Sequence, residues 1–393
     1  MQSARDFFDL LSNHMAQGLP FVAYREPSND GAVKALLQPD SNVYKASDFT
    51  ESGFVFAPFD DSQKAILLPS KFCKEITTSF SDIEEKASKE QNRETVREAS
   101  EEKKVHLRLV QKGIDSIMKG DLKKVVLSRM EEVPLENPDP IEIFKSLLIK
   151  YSTAFVYVWF HPEIGLWLGA TPETLLQVER NRFKTMALAG TQKFAGSLEV
   201  NWGEKEQEEQ QFVTDAILDN LKEYVSNIKT NGPYTTQAGA LLHLRTDISG
   251  EIISKEGNSV QENPHSTGNL KEIIHSIHPT PAICGLPKDP AKQFILENEN
   301  YDREFYTGFL GELNMKKNIQ RSGNRRNTEN LAYGSTLTQT SLFVNLRCMK
   351  LEENRALLFV GGGITKESDP VAEWEETQNK AETMKAVISQ LSG

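Results

Sequence analysis

Short apolar runs separated by turn residues constrain this chain more than any other feature. In the first 80 residues, "GFVFAPFD" and "KAILLPSKF" have the length and flanking turn residues of β-strands. "LKKVVLSRMEEV", "AFVYVWF", "GLWLGAT", "RFKTMALAGT", "YTGFLGELNM", "SLFVNLRCMKLE" and "RALLFVGGGI" have the same character. Helical stretches lie between them: a leading amphipathic helix, one over "VHLRLVQKGIDSIMKGD" ending at Gly120, and one over roughly 203–228. Others fall near 266–277 and 288–297, and a last one starts at Pro370. Hairpin-like strand neighbours with interspersed helices predict an α+β fold built on antiparallel sheet. The almost wholly polar stretch 81–104 is a solvated helix or a linker, and the best boundary in the chain.

The C-terminal helix, "SDPVAEWEETQNKAETMKAVISQL", has charges on the wrong side. At about 100° per residue, Glu373, Glu376 and Lys380 share a stripe with Met384, Val387 and Leu391, which should face the core. Ser368, Asp369 and Pro370 mark the helix start. Two carboxylates and an ammonium therefore point inward, at a cost unless they are paired. Either the first turns protrude beyond the core or something binds there. "NWGEKEQEEQQFVTDAILDNLKEY" repeats the pattern: Glu206 and Glu209 share a face with Val213, Ala216, Ile217, Asn220 and Tyr224. Two E-x-x-E pairs of equal polarity suggest helices converging on one cation. Carboxylate oxygens select a hard ion, typically Mg²⁺, and the lack of nearby His or Cys argues against zinc.

A length of 393 residues allows two average domains or one large one, and a sizeable core. The net charge of −11 argues against nucleic acid or an anionic membrane as the main partner. Cys73, Cys284 and Cys348 are widely spaced and form no CxxC pair, so no disulfide framework or thiolate metal site is expected. The N-terminus has no continuous apolar stretch, and a cytoplasmic setting is the simplest.

Several other positions carry chemistry. Lys124 stands on an apolar strand, where it either snorkels to the sheet edge or, if buried, serves as a general base. Glu173 in "LGATPETLL" either caps a turn or donates a proton from an apolar surround. Arg347 interrupts the apolar "FVNLRCMKL" and needs an anion, either an internal carboxylate or a substrate's. The glycines of "FVGGGIT" let backbone approach a ligand closely. His275 and His278 lack further ligands and do not suggest a zinc site. These elements point to a small polyanionic substrate, one Mg²⁺, a base and an acid, with no nucleotide cofactor.

In order along the chain, "KVVLSR", "GATPETLL", "LAGT", "EKEQEEQQFV", "HPTPAICGLP", "YDREFYTG", "NLRCMKL" and "GGGITKESDPVAEWEETQNK" resemble the motifs of chorismate-utilising enzymes. That family includes isochorismate synthases, salicylate synthases, and the large subunits of anthranilate and aminodeoxychorismate synthases. The resemblance runs from about residue 100 to the end, while residues 1–100 are a divergent part of the same fold. It implies a single domain of two large antiparallel β-sheets sandwiched between helices. By the same resemblance Lys124 activates a water and Glu173 protonates the departing C4 hydroxyl. Glu209 and Glu376 hold Mg²⁺ directly, while Glu206 and Glu373 act through water or alternate as ligands. Lys380 lies beside that site, and His243 and Ile283 line the substrate pocket. Tyr306, Arg347, Gly361 and Gly363 hold the enolpyruvyl carboxylate, and Ala189, Gly190 and Thr191 form the loop under the ring carboxylate.

The branch is also indicated. The aminodeoxychorismate branch resembles "IKGT" where this chain has "LAGT", with a nucleophilic lysine where Ala189 stands. The ammonia-using branches lack a lysine at position 124, so water is the expected nucleophile and no glutaminase subunit is expected. "HPTPAICG" resembles the isochorismate-synthase form more than that of salicylate synthases, whose enzymes also eliminate pyruvate. The expected reaction is the reversible conversion of chorismate to isochorismate, an intermediate on routes to menaquinone and siderophores, by a monomer. Two departures stand out. Glu209-Gln210 replaces the usual Glu-His, and the 315–341 connection, with Arg321, Arg325 and Arg326, is longer and more basic.

Overall fold

The computed structural model describes residues 2–27, 31–79, 101–238, 241–253, 269–319 and 335–389. The N-terminal part contributes α1 (Ala4–Ala16), β1 (Phe21–Arg25), β2 (Ala32–Leu37), β3 (Tyr44–Lys45), β4 (Gly53–Ala57), β5 (Ile66–Pro69) and β6 (Lys74–Ser79). Next come α2 (Glu101–Lys119), β7 (Lys124–Pro134), α3 (Pro140–Lys150), β8 (Phe155–His161), β9 (Gly165–Thr171), β10 (Thr174–Glu179) and β11 (Arg182–Lys193). The middle holds α4 (Glu204–Leu221), β12 (Val225–Ala238), β13 (Leu241–Ile252), α5 (Leu270–Ile277), β14 (Gly285–Leu286) and α6 (Lys288–Asn298). The chain closes with β15 (Phe309–Ile319), β16 (Ser335–Val344), β17 (Cys348–Glu352), β18 (Arg355–Ile364) and α7 (Pro370–Ile388).

These strands form two antiparallel sheets of nine strands each. The first runs β14-β7-β18-β17-β9-β8-β1-β2-β6, and the second β12-β13-β11-β10-β16-β15-β4-β5-β3. Strands from residues 21–79 thus enter both sheets. Strand periodicity places alternate side chains on opposite faces. In β8, Phe155, Tyr157 and Trp159 pack between the sheets against Phe56, Phe305 and Phe343. Val156 and Val158 of the same strand face α1 and α3, where Phe7, Phe8, Phe144 and Leu147 cover them. Helices α4 and α5 cover the outer face of the second sheet through Val213, Ile217, Ile273 and Ile274. The layers are helix, sheet, sheet, helix, with apolar cores at each junction. No helix among the described residues is long and apolar enough to cross a membrane.

Three expectations change. "SLFVNLRCMKLE" is not one strand: β16 belongs to the second sheet and β17 to the first. The chain changes sheet at Asn345–Arg347, and Arg347 takes a left-handed φ of 48° to do so. The helix expected to reach 228 stops at Leu221, and residues from Val225 pair with β13 instead. Tyr224 and Val225 fit either period, so the apolar pattern alone does not find that end. Asn220 is consequently exposed, and the inner stripe of α4 is Val213, Ile217 and Leu221. Of the polar stretch 81–104, only the first turn of α2 lies within the described residues. Leu391 and the basic trio Arg321, Arg325 and Arg326 lie outside them, although β15 and β16 pair antiparallel on either side of the trio.

Candidate active site

Two of the places where the chain passes from one sheet to the other lie side by side. Between β9 and β10 it crosses at Pro172 and Glu173, and between β16 and β17 it crosses at Arg347. The crossings are tied together, because Ala170 N donates to Arg347 O at 3.0 Å and Val344 N donates to Glu173 O at 3.0 Å. A cavity opens beside them. Every predicted site residue except Lys124 and Glu373 lines it. Those two stand immediately behind its glycine wall. An ideal Cβ on Gly363 would lie 3.0 Å from Lys124 Cε, and one on Gly362 would lie 3.3 Å from Glu373 Oε2.

The bare glycines of β18 explain how carboxylates reach this wall. A Cβ on Gly363 would sit 2.5 Å from Glu209 Oε1, so only glycine accommodates that carboxylate. Glu376 and Glu373 approach Gly362 from α7, whose N-terminus Asp369 caps by accepting from Val371 N and Ala372 N. Each of these carboxylates has an ammonium partner. Lys124 Nζ is 2.8 Å from Glu209 Oε1, Lys380 Nζ is 2.7 Å from Glu376 Oε1, and Lys205 Nζ is 2.8 Å from Glu373 Oε1. Glu206 lies against Gly190 and folds back over Gly203, the N-cap of α4.

Their electrostatics differ. Burial alone would raise the Glu209 carboxyl, but the Lys124 ammonium, with Lys380 and Lys205 behind it, holds it below its usual range. Burial and the neighbouring Glu376 charge raise Glu373 against the opposing pull of Lys205 and Ser368. Glu373 Oε2 is buried without a well-formed hydrogen bond. Among the described residues, no three such groups stand close enough to grip a metal ion as they are. The donor chemistry nevertheless suits a hard cation: the carboxylates belong to two helices facing one glycine wall, and one buried oxygen is unsatisfied.

Lys124 begins β7 and is fully buried, so the reading in which it snorkels to the sheet edge is set aside. Glu173 is 3% exposed, and burial raises its carboxyl to about 7 against the combined pull of Lys124, Lys380 and Arg347. A carboxyl in that range is protonated for a good part of the time at neutral pH.

The remaining residues gather around the buried guanidinium of Arg347. Arg347 has no ion-pair partner among the described residues, and burial lowers its pKa. Its Nη2 donates to His243 Nε2 at 3.1 Å, and Nη1 reaches Thr383 Oγ1 at 3.4 Å. His243 Nδ1 donates to Gly190 O at 2.8 Å, with Thr191 Oγ1 at 3.5 Å. Burial and then the Arg347 charge push His243 down to about 3, so it is neutral. Ala189 pairs with Leu244 just before the β11 bulge that exposes Gly190 and Thr191 to the cavity. Lys380 Nζ also donates to Gly361 O at 2.9 Å, and Tyr306 stacks on Phe359 with its hydroxyl beside Gly361. Ile283 is buried at the cavity edge.

Sequence reasoning missed three contributors. Lys205 bridges α4 to α7, and a count of inward carboxylates that asked for their cations would have found it. Gln210, at the departing position, is buried and donates to Ala187 O at 3.1 Å and Thr246 Oγ1 at 3.0 Å, pinning α4 to β11 and β13. Arg303 is buried in a bidentate contact with Glu299, Nη2 to Oε1 at 2.6 Å and Nε to Oε2 at 2.8 Å. It also donates to Val126 O, Ile283 O and Thr307 Oγ1, fastening three cavity walls together.

Comparison with known proteins identifies the family. The sequence profile described as "Chorismate binding enzyme" matches residues 58–322, and a second profile of the same description matches 332–386. Isochorismate synthase EntC of Escherichia coli (strain K12) is 29% identical over 346 residues, covering 83% of this chain and 78% of EntC. The structure of DhbC from Bacillus anthracis superposes with a TM-score of 0.71 at 21% identity, over 96% of this chain and 99% of DhbC. MenF, the menaquinone-specific isochorismate synthase of Escherichia coli, gives 0.68 at 20% identity over 94% and 88%. The fold is thus that of two large antiparallel sheets flanked by helices, and the chain belongs to the chorismate-binding enzyme family.

Proposed function

We propose that the protein converts chorismate to isochorismate, adding water at C2 and releasing the C4 hydroxyl. The observation that carries this reading is Glu173, a buried carboxyl held at about 7 at the edge of a cavity lined by cationic side chains. It protonates the hydroxyl as that group leaves. Lys124, as the free amine, takes a proton from the water attacking C2; to do so it gives up its contact with Glu209. Arg347, Tyr306 and the backbone of Gly361 and Gly363 receive the enolpyruvyl carboxylate. Ala189, Gly190 and Thr191 lie under the ring carboxylate, and His243 holds that loop to Arg347.

Mg²⁺ held by Glu209 and Glu376, with Glu206 and Glu373 as water-mediated or alternating ligands, would neutralise the ring carboxylate and draw electron density from the diene. The overall change relocates one hydroxyl, so it is reversible and consumes neither ATP nor a redox cofactor. Water as nucleophile requires no glutaminase partner. Chorismate incubated with the protein and Mg²⁺ is expected to give isochorismate, read by proton NMR. Salicylate with pyruvate, or an aminated ring when ammonia is supplied, would assign the protein to another branch.

A further inference from the structure

We propose that Lys205 is a tethered counter-ion that competes with the divalent cation for Glu373. The inference rests on the cation reading of the site above. Lys205 belongs to α4 and reaches across to α7, with Nζ 2.8 Å from Glu373 Oε1. It therefore links the two helices that supply all four carboxylates. Its charge is felt by Glu376 and Glu209 as well as Glu373. The other two site lysines are held more firmly. Lys124 is fully buried, and Lys380 divides its ammonium between Glu376 and the Gly361 carbonyl. The Lys205 side chain is 32% exposed on a flexible stem, against 17% for Lys380 and none for Lys124, so of the three it has the freest way out to water.

The charge balance gives this a purpose. Four carboxylates face three ammoniums before any cation arrives. In that state Lys205 satisfies one oxygen of Glu373, while the other, buried without a well-formed hydrogen bond, is left for an incoming ligand. A dication entering the cluster repels the Lys205 ammonium and competes for the same carboxylate. Lys205 then swings toward solvent. The side chain keeps the empty cluster folded and prevents the cation from binding so tightly that it no longer exchanges.

Mn²⁺ titration followed by electron paramagnetic resonance, on the full-length protein without substrate, tests this directly. Lys205→Met is expected to bind Mn²⁺ on the order of tenfold tighter than wild type. Lys205→Arg keeps the charge and is expected to bind like wild type. In excess chelator Lys205→Met should melt below wild type, and Mn²⁺ should raise its Tm by more. Equal or weaker affinity in Lys205→Met, with both proteins folded by circular dichroism, overturns the proposal. If wild type binds no Mn²⁺, the cation reading itself fails and takes the proposal with it. Should Lys205→Met not fold, Lys205→Gln serves the same comparison.

Discussion

Arg347 fixes the protonation of His243. A guanidinium only donates, so the 3.1 Å contact from Nη2 makes His243 Nε2 an acceptor and leaves the ring proton on Nδ1, where it meets Gly190 O. One neutral histidine thereby joins the Gly190 loop to Arg347. Adding a second proton would set two donors against each other.

A pH dependence of stability follows. His243 is held at about 3 in the folded protein, mainly by burial and then by Arg347, against an ordinary value of 6.5. Because the folded value is depressed, its contribution is fully present above about 6.5 and is lost as pH falls toward 3. His243→Gln should flatten the acid limb of a Tm-against-pH curve between those values. A limb of unchanged steepness would contradict the assignment.

Glu173 works in the opposite direction. Its carboxyl is raised to about 7, so folding favours the protonated form, and the contribution is present below the ordinary carboxylate value and lost as pH rises through 7. Glu173→Gln should therefore lose turnover by about a hundredfold or more. It should also melt higher than wild type at pH 8, with little difference at pH 4. The kcat/KM of wild type should decline above about pH 7 as the acid loses its proton.

Gly363→Ala tests the packing of the glycine wall. The new Cβ would lie 2.5 Å from Glu209 Oε1 and 3.0 Å from Lys124 Cε, both at the ends of side chains. The protein should fold, since the contacts are with side-chain ends and not with backbone, but turnover should fall by about tenfold or more because base and carboxylate are both displaced. Turnover equal to wild type would show that neither position matters.

Glu376→Gln removes a proposed cation ligand and the partner of Lys380. Mg²⁺-dependent turnover should drop by about a hundredfold or more. Far-ultraviolet circular dichroism should be unchanged, because α7 is anchored lower down by Met384, Val387 and Ile388.

Arg303→Met should act on stability instead. The change leaves Glu299 buried and unpaired, a loss of about 3–5 kcal/mol. A chemical-denaturation midpoint close to wild type would remove Arg303 as the clamp of the cavity walls.

Much of this was legible in the sequence because it depends on local period and composition. The inward glutamates of α4 and α7 follow from wheel geometry, and the strands flanking "FVGGGIT" follow from apolar runs. What was hidden depends on topology. Nothing in "SLFVNLRCMKLE" says that the chain leaves one sheet at Val344 and enters the other at Cys348. Yet that crossing is why an arginine sits among apolar neighbours, and why it lies beside the equivalent crossing at Glu173. Lys205 was hidden for a related reason, since its partner lies 168 residues away on another helix. The role of Gln210 depends on two strands that only the fold brings under α4.

The central claim, water activated beside Lys124 and added to the ring, is tested most directly by isotope. Chorismate turned over with Mg²⁺ in water enriched in oxygen-18 should yield isochorismate heavier by one label, and Lys124→Ala should yield almost none. Unlabelled isochorismate, or labelled product formed at the wild-type rate by Lys124→Ala, would contradict the account.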